Sequence, residues 1–147
     1  MIMDFEDCIN EIINFFENID DVLFNITQEK ETQDFLIDVL QDQLFTTGED
    51  GKGLSLGDYS PVTIQIKRAK GQPTDRITLK DTGDFYKSYM IEAFRGGFTV
   101  EADGQKSPSD NLFVTYGDDI LLPNDETLTL IAEYYETRLF EHWETLL

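Results

Sequence analysis

The chain has 147 residues, with thirty acids against eleven bases and a formal net charge of −19. That length suits one domain with a sizeable core, and 40% apolar with 12% aromatic residues excludes a disordered chain. The charge argues against free nucleic acid and anionic membrane as ligands, and the single cysteine and single histidine rule out an internal disulfide and a metal-ligand array.

The N-terminal segment is acidic and has no basic region, so no secretory leader is expected. Residues 4 to about 24 predict one helix, with Phe5, Cys8 or Ile9, Ile12, Phe16, Ile19 and Leu23 recurring at three- and four-residue steps. Asp4, Glu6 and Asp7 sit in its first turn, where negative charge suits the helix dipole, and Cys8 reads as a small buried hydrophobe. A second helix is predicted from about Glu29 to Phe45, capped by Thr27, with Phe35, Leu36, Val39, Leu40, Gln43 and Leu44 as its stripe. The two are expected to pair as an antiparallel hairpin. Residues 1–50 carry 14 acids and one base, Lys30.

Residues 46–60, TTGEDGKGLSLGDYS, contain four glycines and no apolar period, which predicts a long flexible loop, mobile until a neighbour orders it. Its glycines and lysine lack the spacing of a phosphate-binding loop. Residues 51–80 reverse the charge, with six bases and two acids. Val62, Ile64 and Ile66 alternate as in a strand, but Ser60-Pro61 is a helix start and Gly71 a stop. A helix is therefore expected over 61–70, with Val62, Ile66 and Ala69 on its apolar face and Lys67, Arg68 and Lys70 in its last turn. Arg76 to Leu79 is a short extended piece. A helix is then expected through Phe85, Tyr89 and Ile91 to Gly96-Gly97, followed by strands at 97–102 and 111–117 that form a hairpin. A terminal helix starts at Asn124 or Asp125, with Leu128, Ile131, Tyr135, Leu139 and Trp143 on one face. His142 lies near its end, where the dipole favours it.

Asp81-Thr82-Gly83 spells the triplet that aspartic proteases place around a catalytic aspartate. Such an enzyme needs two carboxylates sharing one proton in an apolar setting. Here Lys80 precedes the aspartate, an amphipathic run follows it, and no second triplet exists. The triplet is expected to start a helix instead, with Asp81 or Thr82 as cap, Gly83 at the turn and Asp84 on the dipole. No catalytic residue, cofactor or metal is expected.

The stretch YSPVTIQIKRAKGQPTDRITLKDTGDFYKSY resembles a pattern in the virion morphogenesis, or tail-completion, proteins of tailed phages. Tyr59, Ser60, Thr63, Lys67, Gly71, Leu79, Thr82, Gly83, Phe85 and Ser88 carry the resemblance; Asp84-Phe85 departs from the commoner leucine after the Thr-Gly pair. The match covers about thirty residues directly. It implies a non-enzymatic structural component of the virion, assembled in the host cytoplasm. Such proteins form a homo-oligomeric ring at the neck or head-proximal end of the tail, with other virion proteins as partners. It also implies a small α+β core. Lys67, Arg68, Lys70 and Arg76 are then candidate subunit contacts, with apolar burial around Phe85, Tyr89 and Leu112. An acidic lumen would let DNA pass without binding. A second reading is an acidic mimic of DNA that inhibits a DNA-binding enzyme. The expected architecture is thus α+β in one domain. An acidic helical pair (1–45) and a flexible loop (46–60) precede a core (61–147) of short helices around a small antiparallel hairpin, closed by a C-terminal helix.

Overall fold

The computed structural model describes residues 4–146, which form an α+β fold. Asp4 starts α1 (Phe5–Glu17) by accepting the Asp7 amide at 2.8 Å. The single helix expected to residue 24 breaks at Asn18, whose side-chain amide donates to the Asn14 carbonyl at 2.8 Å. Asparagine offers the backbone a local alternative to the helical ladder. α2 (Ile19–Gln28) resumes at once, and the single extended residue Glu29 separates it from α3 (Lys30–Thr47). Thr27 is not the cap of α3. It lies inside α2, where its hydroxyl donates to the Leu23 carbonyl at 2.8 Å and meets the Tyr135 hydroxyl at 2.6 Å. α2 and α3 pack together as the expected pair. α3 buries Leu36, Leu40, Gln43 and Leu44 and ends at Gly48, whose φ of +63° is a left-handed stop.

Residues 46–60 are not a structureless linker. Glu49 and Ser55 bridge, the Asp50 carboxylate accepts the amides of Lys52 and Leu54, and the Gly51 amide donates to the Asp119 carbonyl at 2.8 Å. A Cβ at Gly51 would stand 2.5 Å from that of Leu122, so only glycine permits this approach. The buried Gln43 amide ties the loop to the last helix. It donates to the carbonyls of Glu49 and Leu122, both at 3.1 Å, and accepts the Asn124 amide at 2.8 Å. A buried side-chain amide is stable there because its hydrogen-bonding groups are satisfied.

The expected helix α4 (Pro61–Ala69) forms, with Ser60 accepting the Thr63 amide. Its buried residue is Lys67, whereas Val62 and Ile66 of the expected apolar face are exposed. α5 (Asp84–Lys87) is only one turn long. The helix predicted through Ile91 gives way to β1 (Met90–Phe94), which pairs antiparallel with β2 (Gly97–Glu101), Ile91 opposite Val100. Alternation governs here: Ile91 is buried between exposed Met90 and Glu92.

β2 therefore pairs with β1 and not with residues 111–117. Short β3 (Gln105–Ser107) and β4 (Asp110–Asn111) make a separate two-stranded sheet. The predicted strand 111–117 is instead α6 (Leu112–Tyr116), because the Asn111 side chain accepts the Phe113 amide at 2.9 Å and Gly117 ends the turn. A 3-10 turn (Asp118–Leu121) leads to α7 (Asp125–Leu146). Asn124 caps α7 through the Thr127 amide, as expected. Thr127 and Ile131 are its buried residues, while Leu128, expected on one face with Ile131, is exposed.

The core is two adjoining clusters. Leu36, Ile91 and Ile131 join α3, the hairpin and α7. Leu40 and Leu44 of α3 pack with Ile77 and Leu79 of the segment between α4 and α5 and with Phe85, Leu112 and Ile120. Phe85, Tyr89 and Leu112 are thus spent inside this chain and are not available as subunit contacts. Cys8, expected to be buried, is half-buried on α1.

Candidate functional site

The segment between α4 and α5 folds back on α4, and polar side chains hold it there. The Tyr59 hydroxyl accepts the Thr78 amide at 3.0 Å, and the Tyr86 hydroxyl donates to the Thr78 carbonyl at 2.5 Å. Two tyrosines thereby satisfy both backbone groups of one buried residue. The next residue, Leu79, has φ +58°, a left-handed conformation that costs a leucine roughly 1–2 kcal/mol. Its side chain is buried among Leu44, Phe85 and Leu112, and full burial of a leucine contributes about 1.5–3 kcal/mol, enough to offset that cost.

Lys67 reaches in from α4. Its ammonium lies 4.8 Å from the centroid of the Tyr59 ring and donates to the Lys80 carbonyl at 3.3 Å and to Gln72 Oε1 at 3.4 Å. The Gln72 amide hydrogens continue the chain, the backbone one to the Lys67 carbonyl and the side-chain one to the Asp81 carbonyl, both at 2.9 Å. The residue is only 7% exposed, so its charge is balanced by carbonyl dipoles and the aromatic face, not by bulk water.

Asp81 is not the helix cap that was expected. Its carboxylate pairs with Lys70 at 3.0 Å, and that hydrogen bond holds its pKa below the usual carboxylate range. Thr82 does take part in the helix start, accepting the Asp84 amide at 3.3 Å, and Gly83 with φ +90° stands at the cap position itself. The Ser88 hydroxyl donates to the Phe85 carbonyl at 2.6 Å and accepts the Asp103 amide at 2.8 Å, which fastens α5 to the chain after β2.

Of the residues carrying the sequence pattern, Tyr59, Lys67, Leu79, Thr82, Gly83, Phe85 and Ser88 fall in this one cradle, Ser60 and Thr63 pair at the start of α4, and Gly71 stands exposed outside it. The outer face of the cradle is a cleft of about 340 Å3 whose lining includes Lys67, Lys70, Lys80 and Lys106 and the acids Asp81 and Asp110. A second hollow of about 200 Å3 adjoins it, sharing Leu79, Asp81, Lys106 and Leu112. Four lysines contribute to the lining of this one cleft, which is unexpected in a chain of charge −19. The Lys80 ammonium itself lies over the Phe45 and Tyr86 rings, so Lys106 and Lys70, the latter paired with Asp81, are the cations left to meet a carboxylate-bearing partner.

Of the four candidate subunit contacts, Lys67 is buried and Lys70 is paired with Asp81. Arg76 donates to the Phe45 carbonyl and to Asp75, each at 2.6 Å, and lies over the Phe45 ring. Arg68 is exposed on α4.

Comparison with protein-family models, with curated proteins and with solved structures finds no match to this chain. Sequence reasoning missed Gln72, Thr78, Tyr86 and Lys106. Thr78 and Gln72 look like ordinary loop residues, and Lys106 lies far along the chain; only the fold-back places them beside Lys67. Tyr86 had a local signal, an aromatic next to Phe85, but its partner carbonyl is eight residues away. Among the described residues, no three His, Cys, Asp or Glu side chains group as a metal site requires, and no helix is long and apolar enough to cross a membrane.

Proposed function

We propose that this protein is a structural subunit of a tailed-phage virion, assembled as a ring at the neck or head-proximal end of the tail. The observation that carries the reading is the cradle. Within the resembled pattern Lys67 lies over the Tyr59 ring, Leu79 packs in one cluster with Phe85, and Ser88 donates to the Phe85 carbonyl, while Tyr59, Lys67 and Thr82 hydrogen-bond the backbone of Thr78, Lys80 and Asp84. They build a rigid support, and the contacts with other subunits fall to the surfaces around it. Exposed apolar residues on α1 and α4 supply such surfaces. In a ring, the acids repeated on α1, α3 and α7 repel DNA phosphates and let the duplex slide without a counterion-release gain.

Sedimentation velocity and negative-stain electron microscopy of the full chain test this. The expected result is a closed oligomer that persists at about 0.5 M salt, where the Debye length falls well below 10 Å and apolar burial must hold the contact. The chain is expected not to retain duplex DNA at moderate salt. A lasting monomer that captures a basic DNA-binding enzyme and releases it steeply as salt rises overturns the reading in favour of a DNA mimic.

A further inference from the structure

α1 carries two apolar stripes. Cys8, Ile12 and Phe15 turn toward the body of the chain and are half-buried, with Phe15 edge-on to Trp143 at a centroid distance of 5.3 Å. Phe5, Ile9, Ile13 and Phe16 form the second stripe and stay exposed, Phe5 at 80% and Phe16 at 64%. At about 3.6 residues per turn, Glu6 and Glu17 border this second stripe on its solvent side. Single exposed apolar residues are ordinary, but a row of four large ones along one helix marks an interaction face.

A surface of complementary character lies on α4. Val62 and Ile66, one turn apart, are 66% and 52% exposed, and Ile66 is also a wall of the lysine cleft. Lys70 and Lys106 line the cleft beside Ile66. One surface is thus an apolar stripe bordered by carboxylates and the other an apolar ridge bordered by ammonium groups. Pairing α1 with another α1 is disfavoured, because the helix holds acids and no base.

We propose that α1 of one copy docks onto α4 and the lysine cleft of a second copy. Phe5, Ile9, Ile13 and Phe16 meet Val62 and Ile66, while Glu6 and Glu17 face Lys70 and Lys106. The two surfaces are different patches, so the contact is head-to-tail and propagates from copy to copy until it closes. This contact rests on the reading of the chain as a ring subunit and names the surfaces that join its copies.

Two variants with substitutions only at exposed positions test it, each checked by circular dichroism for an unchanged fold. The first is Ile9→Asp with Ile13→Asp; the second is Ile66→Asp with Lys106→Glu. Each alone is expected to weaken self-association about tenfold or more in sedimentation. Their equimolar mixture is expected to form a heterodimer and stop there, because the intact cleft of the first variant takes the intact α1 of the second. A charge exchange gives an independent measure. Glu6→Lys with Glu17→Lys, or Lys70→Glu with Lys106→Glu, each weakens association, and all four changes in one chain restore part of it. Wild-type association in the first variant, a mixture that stays monomeric, or no recovery in the four-fold chain overturns the contact. A ring that survives loss of the α1 stripe removes this contact and leaves the ring reading standing; a wild-type chain that is monomeric at every concentration removes both.

Discussion

α1 and α3 are both acidic helices with apolar residues every three or four positions, and they end in opposite environments. α3 buries Leu36, Leu40 and Leu44 at 0–3% exposure, whereas α1 has no buried residue. The segregation of apolar from polar residues is sharper in α1 than in α3. Periodicity therefore tells which face of a helix is apolar and says nothing of what covers it. α3 is covered because β1, α7 and the segment before α5 converge on it, while α1 meets the rest of the chain along one stripe and leaves the other bare.

The largest test of that contrast is truncation. Leu36→Ala and Leu44→Ala are expected to lower stability by about 2–5 kcal/mol in urea denaturation, because each leaves a cavity in a closed core. Ile13→Ala and Phe16→Ala on α1, measured on the monomer, should stay within about 0.5 kcal/mol of the parent. Equal losses at the two helices would break the comparison.

The cradle behaves like α3, but its support is polar. Tyr86→Phe removes the donor to the buried Thr78 carbonyl and is expected to cost about 1–3 kcal/mol. Tyr89→Phe serves as the internal control, since the Tyr89 hydroxyl is buried without a hydrogen-bond partner. Its removal should leave the chemical-denaturation midpoint unchanged or raise it.

The same two tyrosines contribute to the alkaline decline of stability, together with Tyr116 and Tyr135, whose pKa burial also raises. Burial raises the pKa of Tyr86 and Tyr89 above the ordinary value of 10. Below about pH 10 both folded and unfolded chains hold these protons, so stability is level. Above it the unfolded chain releases them while the folded one retains them, and stability falls as pH rises. A melting-temperature profile from pH 8 upward should show the decline, less steep in Tyr89→Phe. An unchanged slope in that variant would separate Tyr89 from the effect.

The smallest expected effect is at Asp81. Its lowered pKa means that its pairing with Lys70 stabilises the fold above the ordinary carboxylate pKa and is lost as pH falls through the lowered value. The pair is largely open to solvent, so Asp81→Asn should cost only about 0–1 kcal/mol near neutrality and nothing at low pH. Differential scanning calorimetry at the two pH values reads this directly. A loss of several kcal/mol would place Asp81 in the buried support with Tyr86.

Much of the fold was legible in short stretches. Ser60 with Pro61 announced α4 against the competing alternation of Val62, Ile64 and Ile66, and Asn124 announced α7. Asn111 and Gly117 were the same kind of signal for α6, yet the alternation of Leu112, Val114 and Tyr116 masked it. Both patterns are local, and a five-residue segment is too short for periodicity to separate them. The pattern Tyr59 to Ser88 pointed to the cradle but not to its chemistry, because Lys67 reads as a surface cation at a helix end and is in fact its buried hub.

By itself the sequence determined the caps of α4 and α7, the acidic balance and much of the apolar striping, since each depends on neighbours within a turn or two of chain. Tertiary structure decided which of those stripes is covered. Leu36 and Ile131 meet across nearly a hundred residues, Lys67 is buried by a fold-back that brings Gln72 and Lys80 to it, and α1 keeps Phe5 and Phe16 in solvent. Burial is a property of what arrives from elsewhere in the chain, and a local pattern of residues carries no record of that arrival.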